Sequence, residues 1–251
     1  MIFTFTDFGT DGPYMGQMRA AILTDASGMD VVDLMVDVPA FNPRAAAYLL
    51  AAVIEPLPSE FVCVAVVDPG VGSSRRPIIM RCGDRWFVGP DNGLFEIVAR
   101  RSGKPLDLWE ITCRPARMSK SFHGRDLFAP VAARLARDGE RALDHLACPI
   151  KRDIDAYKQW PDDLDEVIYI DRYGNCMLGC RWPSSAGQFQ VVIDSVQVDV
   201  ATTFSDVPVG QTICYENSIG LVEIAVNQGN AADRLGLEIG TQVAVRELSG
   251  K

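Results

Sequence analysis

The chain has 251 residues, 48% of them hydrophobic and 23% charged, with a formal net charge of −9. That length allows one large domain or two modest ones with a sizeable core. The acidic balance and the lack of a Lys/Arg block argue against a nucleic-acid partner, and no run approaches the roughly 20 apolar residues that a membrane span needs.

The N-terminus runs directly into Ile2-Phe3-Thr4-Phe5-Thr6, which reads as a first strand and not as a secretion signal. Further strands are expected at 31–36, 61–67, 78–81 and 86–88, and helices at 16–25, 44–54, 94–101 and 127–137. The second helix rests on Ala45-Ala46-Ala47-Tyr48-Leu49-Leu50, strong helix-forming composition. Arg100 and Arg101 would close the third helix, where positive charge is favourable. Alternating strands and helices predict an α/β domain around a mostly parallel sheet, residues 1–152. The run 61–67 is apolar almost throughout, as suits a central strand covered on both faces, and places Asp68 at its carboxyl end.

The character changes near residue 150. A charged linker is expected at 153–166, carrying Pro161 and the acidic run Asp162-Asp163-Leu164-Asp165-Glu166. Short strands then follow at 167–170, 188–193, 197–203, 211–215, 221–226 and 242–246, separated by turns. They predict a smaller all-β, barrel-like domain, residues 167–251. Cysteines stand at 63, 82, 113, 148, 176, 180 and 214, an odd number and mostly in apolar runs. Reduced core thiols in a cytoplasmic protein are the expected state. Cys176 and Cys180 do not have the spacing of a zinc C-x-x-C pair, and no second pair follows.

The densest chemistry lies in four Asp- and Gly-rich turns: Thr6-Asp7-Phe8-Gly9, Val67-Asp68-Pro69-Gly70-Val71-Gly72, Gly89-Pro90-Asp91-Asn92-Gly93 and Phe122-His123-Gly124-Arg125-Asp126. Glycine lets backbone approach a ligand, and several of these turns follow strand-like runs, so one site at one sheet edge is expected. Asp68, Arg75 and His123 would surround a small polar substrate. Arg favours a nearby hydroxide-like species, Asp orients it or takes a proton, and His relays protons near neutral pH. The plain alternatives are a turn for Asp68, a surface charge for Arg75, a structural histidine, and a helix cap for Asp126. Asp7 at the end of the first strand can hold both hydroxyls of a ribose. A metal set of Asp7, Asp11, Asp68, Asp91 and His123 ranks lower, so no metal is expected. Gly70-Val71-Gly72 lacks the P-loop lysine pattern.

In the second half, Ile170-Asp171-Arg172-Tyr173-Gly174-Asn175 and Asn217–Asn227 read plainly as hairpin turns. Functionally they offer an aromatic for stacking, an amide for a base edge, and Asp plus Ser for a zwitterionic tail. Asp171, Tyr173, Asn175, Ser218, Glu223 and Val226 are the binding candidates there.

Together these motifs resemble the S-adenosylmethionine hydroxide adenosyltransferase family, the S-adenosylmethionine hydrolases, which also contains fluorinating and chlorinating enzymes. The likeness runs through Thr6–Gly9 with Asp11 and Tyr14-Met15-Gly16, then Val67–Gly72 with Arg75, Pro90–Gly93, Phe122–Asp126, Asp171–Asn175 and Ser218–Asn230. Any one motif is unspecific; six in order are not. The resemblance implies a catalytic α/β domain, a substrate-binding barrel, and a homotrimer with sites at subunit interfaces. It implies hydrolysis of S-adenosyl-L-methionine, as substrate and without a cofactor, to adenosine and L-methionine. It carries a water-activating role to Asp68, Arg75 and His123, ribose binding to Asp7, methionine binding to Asp171 and Ser218, and adenine-side contacts to Tyr173 and Asn175. The family often has Phe at the position of Tyr173. Halogenases depart from the Asp-Arg-His pattern, which this chain keeps. The competing readings are a chloride- or fluoride-using halogenase and a nonenzymatic binding module for adenosine or S-adenosylmethionine.

Overall fold

The computed structural model of the protein describes residues 1–151, 157–183, 189–193 and 196–247. The chain divides into two units, one of Met1–Ala51 with Leu57–Lys158, the other of Ala52–Pro56 with Gln159–Lys251. Residues 153–156 of the expected linker, and Gln188 at the start of one expected strand, lie outside the described residues.

The first unit holds β1 (Ile2–Thr6), α1 (Tyr14–Asp25), β2 (Val31–Met35), α2 (Pro43–Val53) as far as Ala51, β3 (Phe61–Val66), β4 (Pro77–Cys82), β5 (Arg85–Pro90), α3 (Glu96–Arg101), β6 (Leu106–Ile111), α4 (Ala129–Asp138) and β7 (Ala147–Pro149). The strands make one seven-stranded sheet in the order β2-β1-β3-β5-β4-β6-β7. Side chains alternate along β1 and β3. Ile2, Val62, Val64 and Val66 share a core with Met18 and Ile22 of α1 and Val131, Ala132 and Leu135 of α4. Phe3 and Phe61 are out of step with them and meet edge to face at 5.4 Å between centroids, with Phe87 next in the row at 5.7 Å. Tyr48, Leu49 and Leu50 of α2 are fully buried.

The expected mostly parallel sheet is corrected to a mixed one. β1 runs parallel to β2 and β3, and β3 to β5, but β4, β6 and β7 join antiparallel. The reason is the connection between β4 and β5. Only Gly83 and Asp84 separate them, with Gly83 at φ 60°, and a parallel crossover needs a dozen residues or more. This reversal has a consequence for chemistry. Pro77 at the start of β4 pairs with Pro90 at the end of β5, so the loop before β4 lies at the edge where β5 ends.

In the second unit, β8 (Leu164–Ile170), β9 (Cys176–Arg181), β10 (Phe189–Ile193), β11 (Val196–Val200), β12 (Thr212–Glu216), β13 (Leu221–Val226) and β14 (Ala244–Glu247) form a second seven-stranded sheet in the order β14-β10-β11-β12-β13-β9-β8. All its pairings are antiparallel except β11 with β12. Its two ends approach each other. Glu166 bridges Gln242, and the Val167 and Val243 N–H groups donate to Thr241 and Asp165 carbonyls at 2.9 and 3.0 Å. The sheet is thus nearly a barrel around Val167, Leu178, Val191, Cys214 and Ile224. β8 starts at Leu164, inside the expected linker, because Glu166 is buried and takes a 2.7 Å hydrogen bond from Gln242. The strand expected to reach 203 stops at Val200, where Thr203 and Asp206 form a capping box instead.

Candidate active site

Parallel β1 and β3 deliver Asp7 and Asp68 to one sheet edge, and the antiparallel start of β4 brings Arg75 back to the same place. Arg75 Nε donates to Asp68 Oδ1 and Oδ2 at 2.9 and 3.0 Å, and Nη2 also donates to Oδ2. The two side chains are only 9% and 5% exposed. The guanidinium lies 5.2 Å from the centre of the Phe128 ring, which gives its free face an apolar cover. Arg75 Nη2 also lies 2.9 Å from His123 Nδ1. His123 immediately precedes a single π-helical turn, Gly124–Phe128, that leads into α4. Such turns recur at functional sites because they redirect side chains out of helical register.

Asp7, Asp68 and His123 line a cavity of about 400 Å³, walled by Phe8, Tyr14 and Phe122. The three rings contact one another at 5.2 to 6.0 Å. Gly124 permits this wall, since a Cβ there would come within 3.1 Å of the Phe8 ring. Burial raises the Asp7 pKa, opposed by the Phe41 N–H that donates to Oδ2 at 3.0 Å. Burial lowers the His123 pKa, and the neighbouring Arg75 charge lowers it further. The imidazole is therefore neutral at neutral pH.

Asp126 is not a helix cap. It sits inside the π-turn, where its carboxylate accepts the Ser119 N–H at 2.7 Å and pairs with Arg125. The metal set does not assemble. Asp91 pairs with Arg76 at 2.7 Å, Asp11 is exposed beside Thr10, and neither lines the cavity. Among the described residues no group of three or more His, Cys, Asp or Glu could hold a metal ion. The seven cysteines form no disulfide with one another, and burial pushes Cys176 and Cys214 up to about 12, which keeps them as inert thiols.

The second unit has its own open pocket of about 750 Å³, and every binding candidate of that half lines it. Asp171 is the keystone of its turn. Its carboxylate accepts the Tyr173 and Asn175 N–H groups at 2.8 and 2.9 Å and the Asn175 side-chain amide at 2.9 Å. Tyr173 is thereby presented to solvent, 74% exposed, while Asn175 is buried. Val226 is buried in the wall and Ser218 is exposed at the rim. Glu223 is 3% exposed and accepts from Tyr215 Oη and, at 3.0 Å, from Asn217 Nδ2. Burial raises its pKa.

Sequence reading missed Phe41, Tyr215 and Asn217. Phe41 is 76% exposed at a left-handed φ of 60° and holds Asp7 through its backbone; an isolated aromatic between two prolines carries no signal of that. Tyr215 matters because β12–β13 register places it directly across from Glu223, and register is a tertiary fact.

The sequence model of the SAM hydroxide adenosyltransferase N-terminal domain matches residues 2–145, and that of the C-terminal domain matches 165–244. The (R)-S-adenosyl-L-methionine hydrolase of Thermus thermophilus is 36% identical, over 96% of this chain and 98% of its own. The protein of that name from Salinispora arenicola is 35% identical over 96% and 95%. A fluorinase from Actinopolyspora mzabensis is more distant, 22% identical over 98% and 96%. Among solved structures, an uncharacterized conserved protein from Thermotoga maritima superposes with a TM-score of 0.87 at 30% identity, covering 98% of this chain and all of its own.

Proposed function

The chain belongs to the SAM hydroxide adenosyltransferase family, and from that premise we propose that it hydrolyses S-adenosyl-L-methionine to adenosine and L-methionine. The observation that carries the reading is that Asp68 and His123, joined through Arg75, both line the aromatic-walled cavity. The sulfonium is a charged leaving group that needs no general acid. What remains is to place a desolvated water in line with C5′ and sulfur, and positioning supplies a large share of such a barrier. Arg75 stabilises hydroxide character in that water. Asp7 holds the ribose. Asp171 and Ser218 take the methionine end, Tyr173 and Asn175 the adenine side, and Glu223 and Val226 complete that pocket.

The first unit is then the catalytic domain and the second the substrate-binding domain. By the family resemblance the protein works as a homotrimer, with sites at subunit interfaces, and needs no metal or cofactor. A cytoplasmic setting suits cysteines that are not joined in disulfides. Among the described residues no helix is long and apolar enough to cross a membrane.

The test is chromatographic: purified protein with S-adenosylmethionine, in chloride-free buffer and then with added halide. Equal adenosine and methionine, unaffected by halide, supports hydrolysis. A halogenated nucleoside moves the protein to the halogenase branch, and binding without product makes it a binding module. Sedimentation at three times the chain mass is expected; a monomer would remove the interface reading.

A further inference from the structure

A guanidinium has five N–H donors and no acceptor. The 2.9 Å contact between Arg75 Nη2 and His123 Nδ1 therefore runs only from arginine to ring. Nδ1 presents a lone pair. A neutral imidazole with a bare Nδ1 carries its proton on Nε2, and an imidazolium would set N–H against N–H. The surroundings agree in sign. Burial, Arg75 and Arg114 disfavour the protonated ring, outweighing the carboxylates of Asp68 and Asp126. Among the described residues no protein hydrogen bond engages Nε2, and His123 lines the cavity.

We propose that His123 is a fixed hydrogen-bond donor, through Nε2–H, to the attacking oxygen, and that Asp68 receives the proton. The inference rests on the hydrolysis reading and divides the labour within it. The water oxygen uses one lone pair to bond C5′ and accepts Nε2–H with the other, while one O–H points to Asp68. As the C5′–O bond forms, the C5′–S bond breaks and its electron pair passes to sulfur, which leaves as the neutral thioether of methionine. The proton on the O–H facing Asp68 passes to that carboxylate as the C5′–O bond forms, so the oxygen carries hydroxide character, which the Nε2–H donor favours, and ends as the neutral hydroxyl of adenosine. From Asp68 the proton passes to solvent. Asp68 Oδ1 accepts only Arg75 Nε among the described residues, so an acceptor direction remains for that proton. Arg75 thus holds two partners in complementary states: Asp68 as an acceptor and His123 as a donor.

The chain has only two histidines, so the tautomer can be read directly. Substrate-free, 15N-labelled protein at neutral pH is measured by long-range 1H–15N correlation of the imidazoles, with His145→Gln providing the assignment. The expected result for His123 is an unprotonated Nδ1 and a protonated Nε2. An Nδ1–H tautomer or a doubly protonated ring overturns the proposal. Activity gives a second readout. Gln at 123 has an amide N–H with nearly the reach of Nε2 and no basic nitrogen. His123→Gln should keep kcat within about tenfold of wild type, whereas His123→Ala should lose about a hundredfold or more. Glutamine as inactive as alanine overturns the donor role. The spectrum needs no turnover, so failure to hydrolyse S-adenosylmethionine and failure of the tautomer are separate results.

Discussion

Replacing Arg75 with Met tests whether the Asp68 pair is a buried charge pair in energetic fact. Arg75 supplies three donor contacts to the Asp68 carboxylate, whose side chain is 5% exposed. Arg75→Met therefore leaves a sheltered carboxylate without its counter-charge. Breaking such a pair from one side costs about 3–5 kcal/mol. The residual exposure of both partners favours the lower end, about 3 kcal/mol. At roughly 2–4 °C per kcal/mol for a protein of this size, Tm should fall by about 6–12 °C. Adding Asp68→Asn removes the stranded charge, and the double variant should recover most of that loss, because replacing both partners is often near neutral. Turnover should not recover. Both variants lack the guanidinium that joins Asp68 to His123 and should show kcat down by about 10²–10³, with a smaller change in substrate affinity. Thermal unfolding and steady-state kinetics on the wild type, the single and the double variant give all these numbers. A single variant that melts within about 2 °C of wild type, or a double variant no better than the single, would refute the buried-pair reasoning. Equal losses of affinity and turnover would count against nucleophile activation.

Asp7→Asn keeps an oxygen for the Phe41 N–H but loses the charge, so adenosine affinity measured by calorimetry should weaken about 10-fold or more with little change in Tm; unchanged affinity would remove the ribose role. Gly174 sits at φ 82°, and a Cβ there would fall 2.0 Å from Asn230 Oδ1. Gly174→Ala should therefore destabilise the second unit by at least about 2 kcal/mol, seen as faster amide exchange in β8 and β9, and unaltered exchange would show that the turn has room to give. The pH dependence follows from His123, whose pKa is lowered from 6.5 by burial and by Arg75. Activity should hold as pH falls past 6.5 and decline only through the lower folded-state value. Stability follows the same sign: the folded state resists the proton, so the His123 contribution is present above the unfolded pKa and is lost as pH falls through the folded one. A kcat/KM profile with its acid midpoint at or above 6.5 would contradict this.

Much of the fold was legible because apolar runs bounded by turn residues mark strands irrespective of their partners. β1 and β13 were readable to the residue, and α1, α2 and α4 to within a turn. Direction was the failure. The expected strands at 78–81 and 86–88 lie too close in sequence for a parallel crossover, so their spacing alone specifies an antiparallel hairpin. β6 reads Leu-Asp-Leu-Trp-Glu-Ile, an alternation that its charged positions disguised. The short helix Ala231–Leu235 is marked by the Asn230 cap and by Gly236 in the left-handed region, a weak signal at five residues among strands and turns.

The site divides along the same line, between what neighbouring residues specify and what folding alone can join. Asp68 and Arg75 are seven residues apart, and one Gly-rich turn can fold the second back on the first. Arg75 and His123 are 48 apart, and nothing local links them; the sheet edge, the reversed β4 and the π-turn before α4 do so together. The residue types were legible for that reason, and their roles were not. A histidine facing a carboxylate through Nδ1 would be a base at Nε2. The same histidine facing an arginine through Nδ1 is a donor at Nε2. The choice depends on which side of Asp68 the ring approaches, and Arg75 occupies that side. The antiparallel direction of β4 and the proposed division of proton duties thus share one cause, because an antiparallel β4 is what brings the guanidinium to both the carboxylate and the ring.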